Sequence, residues 1–162
     1  MKTIEVDTRQ QDGKHKRKHA YFEEQGYHLL RTKLPFGDYR LVGGTVCVDT
    51  KRNIRELAGN LRQDHERFKA ECIGANEAGY QLVVLVENTH GIKNLSDFSK
   101  WYEPLHEFKK CKSAKVRLYG KPLAKVCETM HIKYGVMWAF CSPKQAGEVV
   151  LRILENEKKK RG

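Results

Sequence analysis

Apolar and polar residues alternate with a period of two in several short stretches of this chain and recur every three to four positions in the stretches between them. At 3–7, Ile4 and Val6 share one side of a strand while Glu5 and Asp7 take the other. A helical segment at 14–25, closed by Gly26 and thin in apolar residues, is followed by a strand at 27–32. Two further strand-forming runs, 39–42 and 45–50, flank Gly43-Gly44, a pair suited to a two-residue hairpin turn. Asn53 and Glu56 make an Asn-x-x-Glu helix start, with Ile54, Leu57, Ala58 and Leu61 at helical spacing. A second helix is predicted at 64–78, capped by Asp64 and turning Phe68, Cys72 and Ala75 inward. Residues 82–86, Leu-Val-Val-Leu-Val, are apolar at both parities, the pattern of a strand buried on both faces.

Farther along, Ser96 is expected to cap a helix that holds Phe98, Trp101 and Leu105 and is interrupted at Pro104. Pro122 suits a helix's first turn, with Leu123, Val126, Cys127 and Met130 on the inner face. A strand at 134–141 leads into Ser142-Pro143-Lys144-Gln145, a capping box with proline at its first position. Ala146, Val149, Val150, Ile153 and Leu154 then form a strong helical stripe, which either the sheet or a second copy in a homodimer must cover. Strands alternating with helices predict an α/β fold, a mixed central β-sheet flanked by helices. The 162 residues suffice for one such domain with its own core.

The hairpin region at 37–51 carries the densest chemistry. Strand alternation sends Val46, Val48 and Thr50 to one face and Cys47, Asp49 and Lys51 to the other, so an acid and an amine emerge side by side. Asp38 opens the partner strand, and an antiparallel return brings it toward them. Two carboxylates and a lysine suit phosphodiester hydrolysis assisted by Mg²⁺ or Mn²⁺: carboxylate oxygens hold the ion, and the ammonium stabilises developing charge or orients the attacking water. A surface ion pair is the plainer reading of Asp-x-Lys alone.

Charge narrows the partner. Thirty-one Lys and Arg against twenty Asp and Glu leave +11, which calls for a polyanion, with nucleic acid first and an anionic membrane surface second. Lys14, Lys16, Arg17 and Lys18 form a phosphate-contacting cluster, Arg62 and Arg67 add two more candidates, and a second basic run lies at 109–117. For Arg67 the alternative is a surface salt bridge with Glu71. Trp101 and Tyr102 are candidates for stacking on an unpaired base, though core packing is the commoner fate of a tryptophan. No apolar run approaches the roughly 20 residues of a membrane span, and an acid stands where a signal peptide needs apolar residues, so a cytoplasmic protein is expected. The five cysteines form no CxxC pair and read as reduced core residues; zinc at Cys111 and His106 lacks the paired spacing.

Several motifs in order resemble the XPF/Hef-type structure-specific nucleases of the PD-(D/E)XK superfamily. Val6-Asp7-Thr8-Arg9 is similar to the family's Val-Asp-x-Arg, Gly37-Asp38-Tyr39 to its Gly-Asp-Tyr, and Val48-Asp49-Thr50-Lys51 to its Val-Glu-Arg-Lys. The run from Glu56 to Leu61, then Arg67-Phe68, then a strand ending at Glu87 follow in the family's order. Three positions depart from the pattern: Asp49 replaces glutamate, Thr50 replaces arginine, and the acid after the lysine falls at Glu56, with Arg55 in its usual place.

The resemblance implies a restriction-endonuclease-like fold and a Mg²⁺- or Mn²⁺-dependent endonuclease acting on branched or structured DNA in repair, recombination or phage DNA processing. It implies Asp38, Asp49 and Lys51 as the catalytic set, Asp7 as a further metal ligand, Arg9 and Arg52 against DNA, and Glu56 and Glu87 in support. It also implies a homodimer, with residues 1–157 as the nuclease domain and 158–162 as a basic tail. Family members commonly add helix-hairpin-helix modules or a helicase, for which this length leaves no room. A non-catalytic DNA-binding module or the regulatory subunit of a nuclease complex are the other readings.

Overall fold

The computed structural model describes residues 2–10, 13–103 and 118–161. In chain order they form β1 (Lys2–Asp7), α1 (Lys16–Glu24), β2 (Tyr27–Thr32), β3 (Tyr39–Leu41), β4 (Val46–Lys51), α2 (Ile54–Leu61) and α3 (His65–Glu77). There follow β5 (Gln81–Glu87), α4 (Leu95–Ser99), α5 (Gly120–Tyr134), β6 (Met137–Cys141), a 3-10 turn (Pro143–Gln145) and α6 (Ala146–Arg161). The strands lie side by side in the order β2-β1-β3-β4-β5-β6. Only β3 runs against its neighbours β1 and β4; every other pairing is parallel. The carboxyl ends of β1, β4, β5 and β6 therefore share one edge of the sheet, together with the start of β3. Ligand sites of open α/β sheets form at such an edge.

Alternation sorts the two faces. Ile4, Val6, Val48 and Leu85 pack with Phe22 of α1 and with Ala146, Val150 and Leu154 of α6. Cys47, Val84 and Val86 pack on the other side with Leu57, Phe68, Cys72, Cys127 and Met130 from α2, α3 and α5. β5 is buried on both faces, as its unbroken apolar run requires. The α6 stripe is spent inside the domain, with Leu151 added to its buried face, so a dimer seam is no longer needed to cover it.

Several local expectations change. The hairpin turn is not a two-residue one: β3 ends at Leu41 and β4 begins at Val46, and the Gly44 amide donates to the Leu41 carbonyl at 2.8 Å across Val42 and Gly43. Tyr134 belongs to α5, whose last turn is closed by Gly135, so β6 starts at Met137. Asn94, not Ser96, caps α4, its side chain accepting from the Asp97 amide at 2.8 Å. Asp64 stands at the N-cap of α3 without making a side-chain cap bond, whereas Asn53 caps α2 as expected. α6 continues through Arg161, so the backbone of the expected tail is helical. Leu105, Pro104, His106, Cys111 and the basic run at 109–117 lie outside the described residues. Among the described residues, no helix is long and apolar enough to cross a membrane.

Candidate active site

Gly37 sets the position of the first acid. At φ +73° it approaches β4 so closely that a Cβ would lie 3.0 Å from the Val48 carbonyl oxygen and 3.2 Å from the Cys47 Cβ. Asp38, next in the chain, donates its amide to the Val48 carbonyl at 2.8 Å and accepts the Asp7 amide on its own carbonyl at 3.0 Å. It stands one step beyond the Tyr39–Val48 pair, which brings it level with Asp49. One of its carboxylate oxygens, Oδ2, accepts both the amide and the hydroxyl of Thr50, each at 2.8 Å. Thr50, the residue that replaces the resembled family's arginine, is therefore what fixes the rotamer of Asp38.

Asp49 and Lys51 project from the opposite face of β4 and form an ion pair of 2.9 Å with side chains only 13% and 10% exposed. The Lys51 ammonium also lies 5.1 Å from the centroid of the Phe68 ring on α3, a cation–π contact. Burial and then the charge of Asp38 push the Asp49 carboxyl up to about 6. Burial also raises Asp38, against the opposing pull of its two bonds from Thr50. For Lys51, burial works against the ammonium, but Asp49 beside it more than offsets this and leaves its pKa above the ordinary lysine value.

These groups fit a divalent cation. Asp49 Oδ2 is buried and ion-paired with the Lys51 ammonium at 2.9 Å. The charge of Asp38 raises the Asp49 carboxyl, and the single ammonium of Lys51 lies against both acids, which leaves room for further positive charge. Among the described residues, no three His, Cys, Asp or Glu side chains gather as a self-sufficient metal cage. Mg²⁺ does not need one, because it binds through one or two carboxylates and keeps several waters.

The remaining candidates fall into three groups. Asp7 is buried at the same edge, but both of its oxygens are engaged: Oδ2 takes the Arg9 Nε at 2.9 Å and Oδ1 takes the Leu34 amide at 3.1 Å. Arg9 also donates to the Leu34 carbonyl at 2.8 Å, so the pair clasps the loop ahead of Gly37. Lys18, expected on the DNA surface, is instead buried, with its ammonium 2.7 Å from the Glu87 carboxylate. Its alternate neighbours Lys14, Lys16 and Arg17 are exposed, as are Arg52, Arg62 and Arg67. Arg67 pairs with Asp64 at 3.6 Å rather than with Glu71. Glu56 accepts the Arg52 amide at 2.9 Å and so holds the turn out of β4. Trp101 is a core residue against Phe98 and His90.

Sequence reasoning missed three participants. Glu71, one turn after Phe68 on α3, feels the charges of Asp49 and Lys51, and its pKa is raised by burial first and by Asp49 next. Its helical spacing from Phe68 and its neighbour Cys72 was the available signal. His15 and His19 stack with ring centroids 6.0 Å apart, and Tyr39 Oη lies 3.1 Å from His19 Nε2. Burial, the largest cause for each, lowers both histidines to about 4, so they are neutral at physiological pH. A run of Lys and His gives no sign of such packing.

No family model matches the chain, and no curated protein does. Among solved structures, XPF from Aeropyrum pernix matches with a TM-score of 0.65 at 18% identity over 96% of this chain. The same protein in complex with DNA matches with a TM-score of 0.65 at 16% identity over 99% of this chain. The chain shares its fold, a mixed six-stranded sheet flanked by helices, with these XPF structures. The chain spans 65% and 66% of the length of those two XPF chains. At this identity the XPF match establishes architecture, and the residue roles rest on the geometry of Asp38, Asp49 and Lys51.

Proposed function

We propose that this chain is a Mg²⁺- or Mn²⁺-dependent endodeoxyribonuclease that acts on branched or structured DNA. The supporting observation is the pair of buried carboxylates, Asp38 and Asp49, level with each other at the sheet edge and both raised by burial, closed by the ammonium of Lys51. Asp38 and Asp49 would hold the ion, which supplies charge neutralisation at the scissile phosphate when bound. Thr50 holds Asp38 in place for that task. Lys51, kept charged by Asp49, stabilises negative charge developing on the phosphate and orients the attacking water. Asp7 keeps Arg9 and the loop ahead of Gly37 in register, and Glu56 fixes the exit of β4. Lys14, Lys16, Arg17, Arg52, Arg62 and Arg67 give exposed contacts for DNA phosphates, consistent with a net charge of +11. The DNA complex of the Aeropyrum pernix XPF supports a DNA substrate on the same fold. Repair, recombination and phage DNA processing are the settings such chemistry serves.

The test is incubation with end-labelled single-stranded, duplex, flap, fork and four-way DNA in Mg²⁺, Mn²⁺ or EDTA. Metal-dependent cleavage that is strongest on a branched substrate and lost in Asp38→Asn is the expected result. Binding without cleavage under every condition would make the chain a DNA-binding or regulatory subunit instead.

A further inference from the structure

Two large aromatic side chains stand exposed where the local pattern offers water an ordinary polar position. In the segment after α4, Trp101 and Glu103 are 8% and 1% exposed, whereas Tyr102 between them is 56% exposed. Opposite it, Leu118 packs on the core, Gly120 is buried, and Tyr119 between them is 54% exposed. Tyr102 and Tyr119 face each other across an antiparallel bridge. Directly paired residues lie about 4.5–5.5 Å apart and project to the same side, so the two phenols form one surface.

That surface is held rigidly. The Glu103 amide donates to the Leu118 carbonyl at 2.9 Å and the Gly120 amide to the Trp101 carbonyl at 2.7 Å, one bond on each side of the tyrosine pair. Gly120 packs against α4 so tightly that a Cβ there would clash with the Phe98 carbonyl oxygen. The carboxylate of Glu103 is ion-paired with Arg55 on α2, the helix that leaves the catalytic strand just after Lys51. The bridge is thereby tied to the candidate active site. Lys100, at the end of α4, and Lys121, in the first turn of α5, are both exposed and each lies two positions along the chain from one of the tyrosines.

We propose that Tyr102 and Tyr119 form a stacking platform for unpaired bases of the DNA substrate, with Lys100 and Lys121 taking the adjoining phosphates. A single exposed tyrosine needs no explanation. Two of them side by side on one bridge, with Lys100 and Lys121 close by in the chain and the carboxylate of the adjoining Glu103 paired with Arg55, match the aromatic and basic interleaving of single-strand binding surfaces. Every base has a π-face, so the platform selects for unpaired strand and not for sequence. It thus gives a nuclease a means of preferring DNA with a single-stranded arm. The inference rests on the nuclease reading above and deepens it.

The experiment measures affinity in EDTA for a labelled oligo-dT, a blunt duplex and a fork with dT arms, using the parent, Tyr102→Ala/Tyr119→Ala and Tyr102→Phe/Tyr119→Phe. The alanine pair is expected to weaken oligo-dT and fork binding by about 5-fold or more, since a stacked base contributes roughly 1–3 kcal/mol. Blunt-duplex binding stays within twofold. The phenylalanine pair, which keeps the rings and loses the hydroxyls, is expected to bind as the parent does. Equal affinity of the parent and the alanine pair for oligo-dT, or equal losses on blunt duplex and oligo-dT, overturns the platform while leaving the nuclease reading intact. A change of mass in light scattering in the alanine pair also overturns it, in favour of a contact between copies. A parent that cleaves no DNA but shows the ring-dependent oligo-dT affinity refutes the nuclease reading and keeps the platform.

Discussion

Two buried lysine–carboxylate pairs stand near the same edge of the sheet, and they differ in what surrounds them. Lys18 and Glu87, 2.7 Å apart, join α1 to the end of β5. Lys51 and Asp49, 2.9 Å apart, are about as deeply placed on β4, but Asp38, just ahead of β3, stands level with Asp49. The first pair balances its own charge; the second shares one ammonium between two carboxylates, with Glu71 close enough to feel both. A balanced buried pair acts as a clasp between elements. A surplus of negative charge costs stability, and it persists where a cation is to be received.

Substitutions at the crowded pair should have the largest effect, and on cleavage. Asp38→Asn and Asp49→Asn are expected to slow hydrolysis by orders of magnitude, and Lys51→Ala by about 10²–10³-fold, while all three retain DNA binding in EDTA. Single-turnover assays on the best substrate, beside binding isotherms, separate the two. Asp49→Glu, which adds a methylene to a site built around the shorter acid, is expected to keep partial activity.

The balanced pair should answer in stability instead. Removing one partner, as in Lys18→Met or Glu87→Gln, strands a buried charge and is expected to cost about 3–5 kcal/mol in urea melts. Replacing both with apolar residues should restore much of that, and the cleavage rate per folded molecule should stay close to the parent's. A large rate loss in a well-folded Lys18 variant would show that the two pairs are not separate in function.

A third contrast is in pH. The Asp49 carboxyl titrates near 6 in the folded chain against an ordinary 3.8, so the folded state binds more protons than the unfolded one between those values. Metal-free stability is therefore expected to fall as pH rises from about 4 to about 6, by something on the order of 2 kcal/mol from this group, and Asp49→Asn should remove the fall. Above that range, Mg²⁺ should raise the melting temperature of the parent and not of Asp49→Asn. A parent melt indifferent to Mg²⁺ would count against the cation site without reference to activity.

The smallest effect is expected at Asp7. Because its oxygens already serve Arg9 and the Leu34 amide, Asp7→Asn should cost about 1–2 kcal/mol of stability and leave cleavage within about tenfold. A loss as deep as that of Asp38→Asn would return Asp7 to the set of metal ligands.

How far each region was legible follows from how local its cause is. Val46 to Lys51 read well because strand alternation alone decides which side chains share a face, and 82–86 because an unbroken apolar run of that length fits few other places. The burial of Lys18 was not legible: its neighbours Lys14, Lys16 and Arg17 are exposed, and only the tertiary approach of Glu87 distinguishes it. Tyr134 has strand propensity, but the cap at Gly135 and the packing of α5 keep it helical. The same holds for Thr50, whose side chain reads as a strand filler until Asp38 is placed beside it. Charge surplus, in short, is a property of neighbours across strands, and one strand's sequence carries only half of it.

The short strand β3 has a consequence for the order in which this molecule assembles. Its three residues join a parallel pair, β2-β1, to a parallel triplet, β4-β5-β6, and Asp38 bonds to both: its carbonyl to the Asp7 amide and its amide to Val48. A chain in which each half has formed but the seam has not closed keeps most of its secondary structure and has no site. Cation affinity should consequently appear only in the last phase of refolding. The amides of Asp7 and Asp38 should exchange with solvent together, through one opening of the seam, at a lower free energy than those of β5.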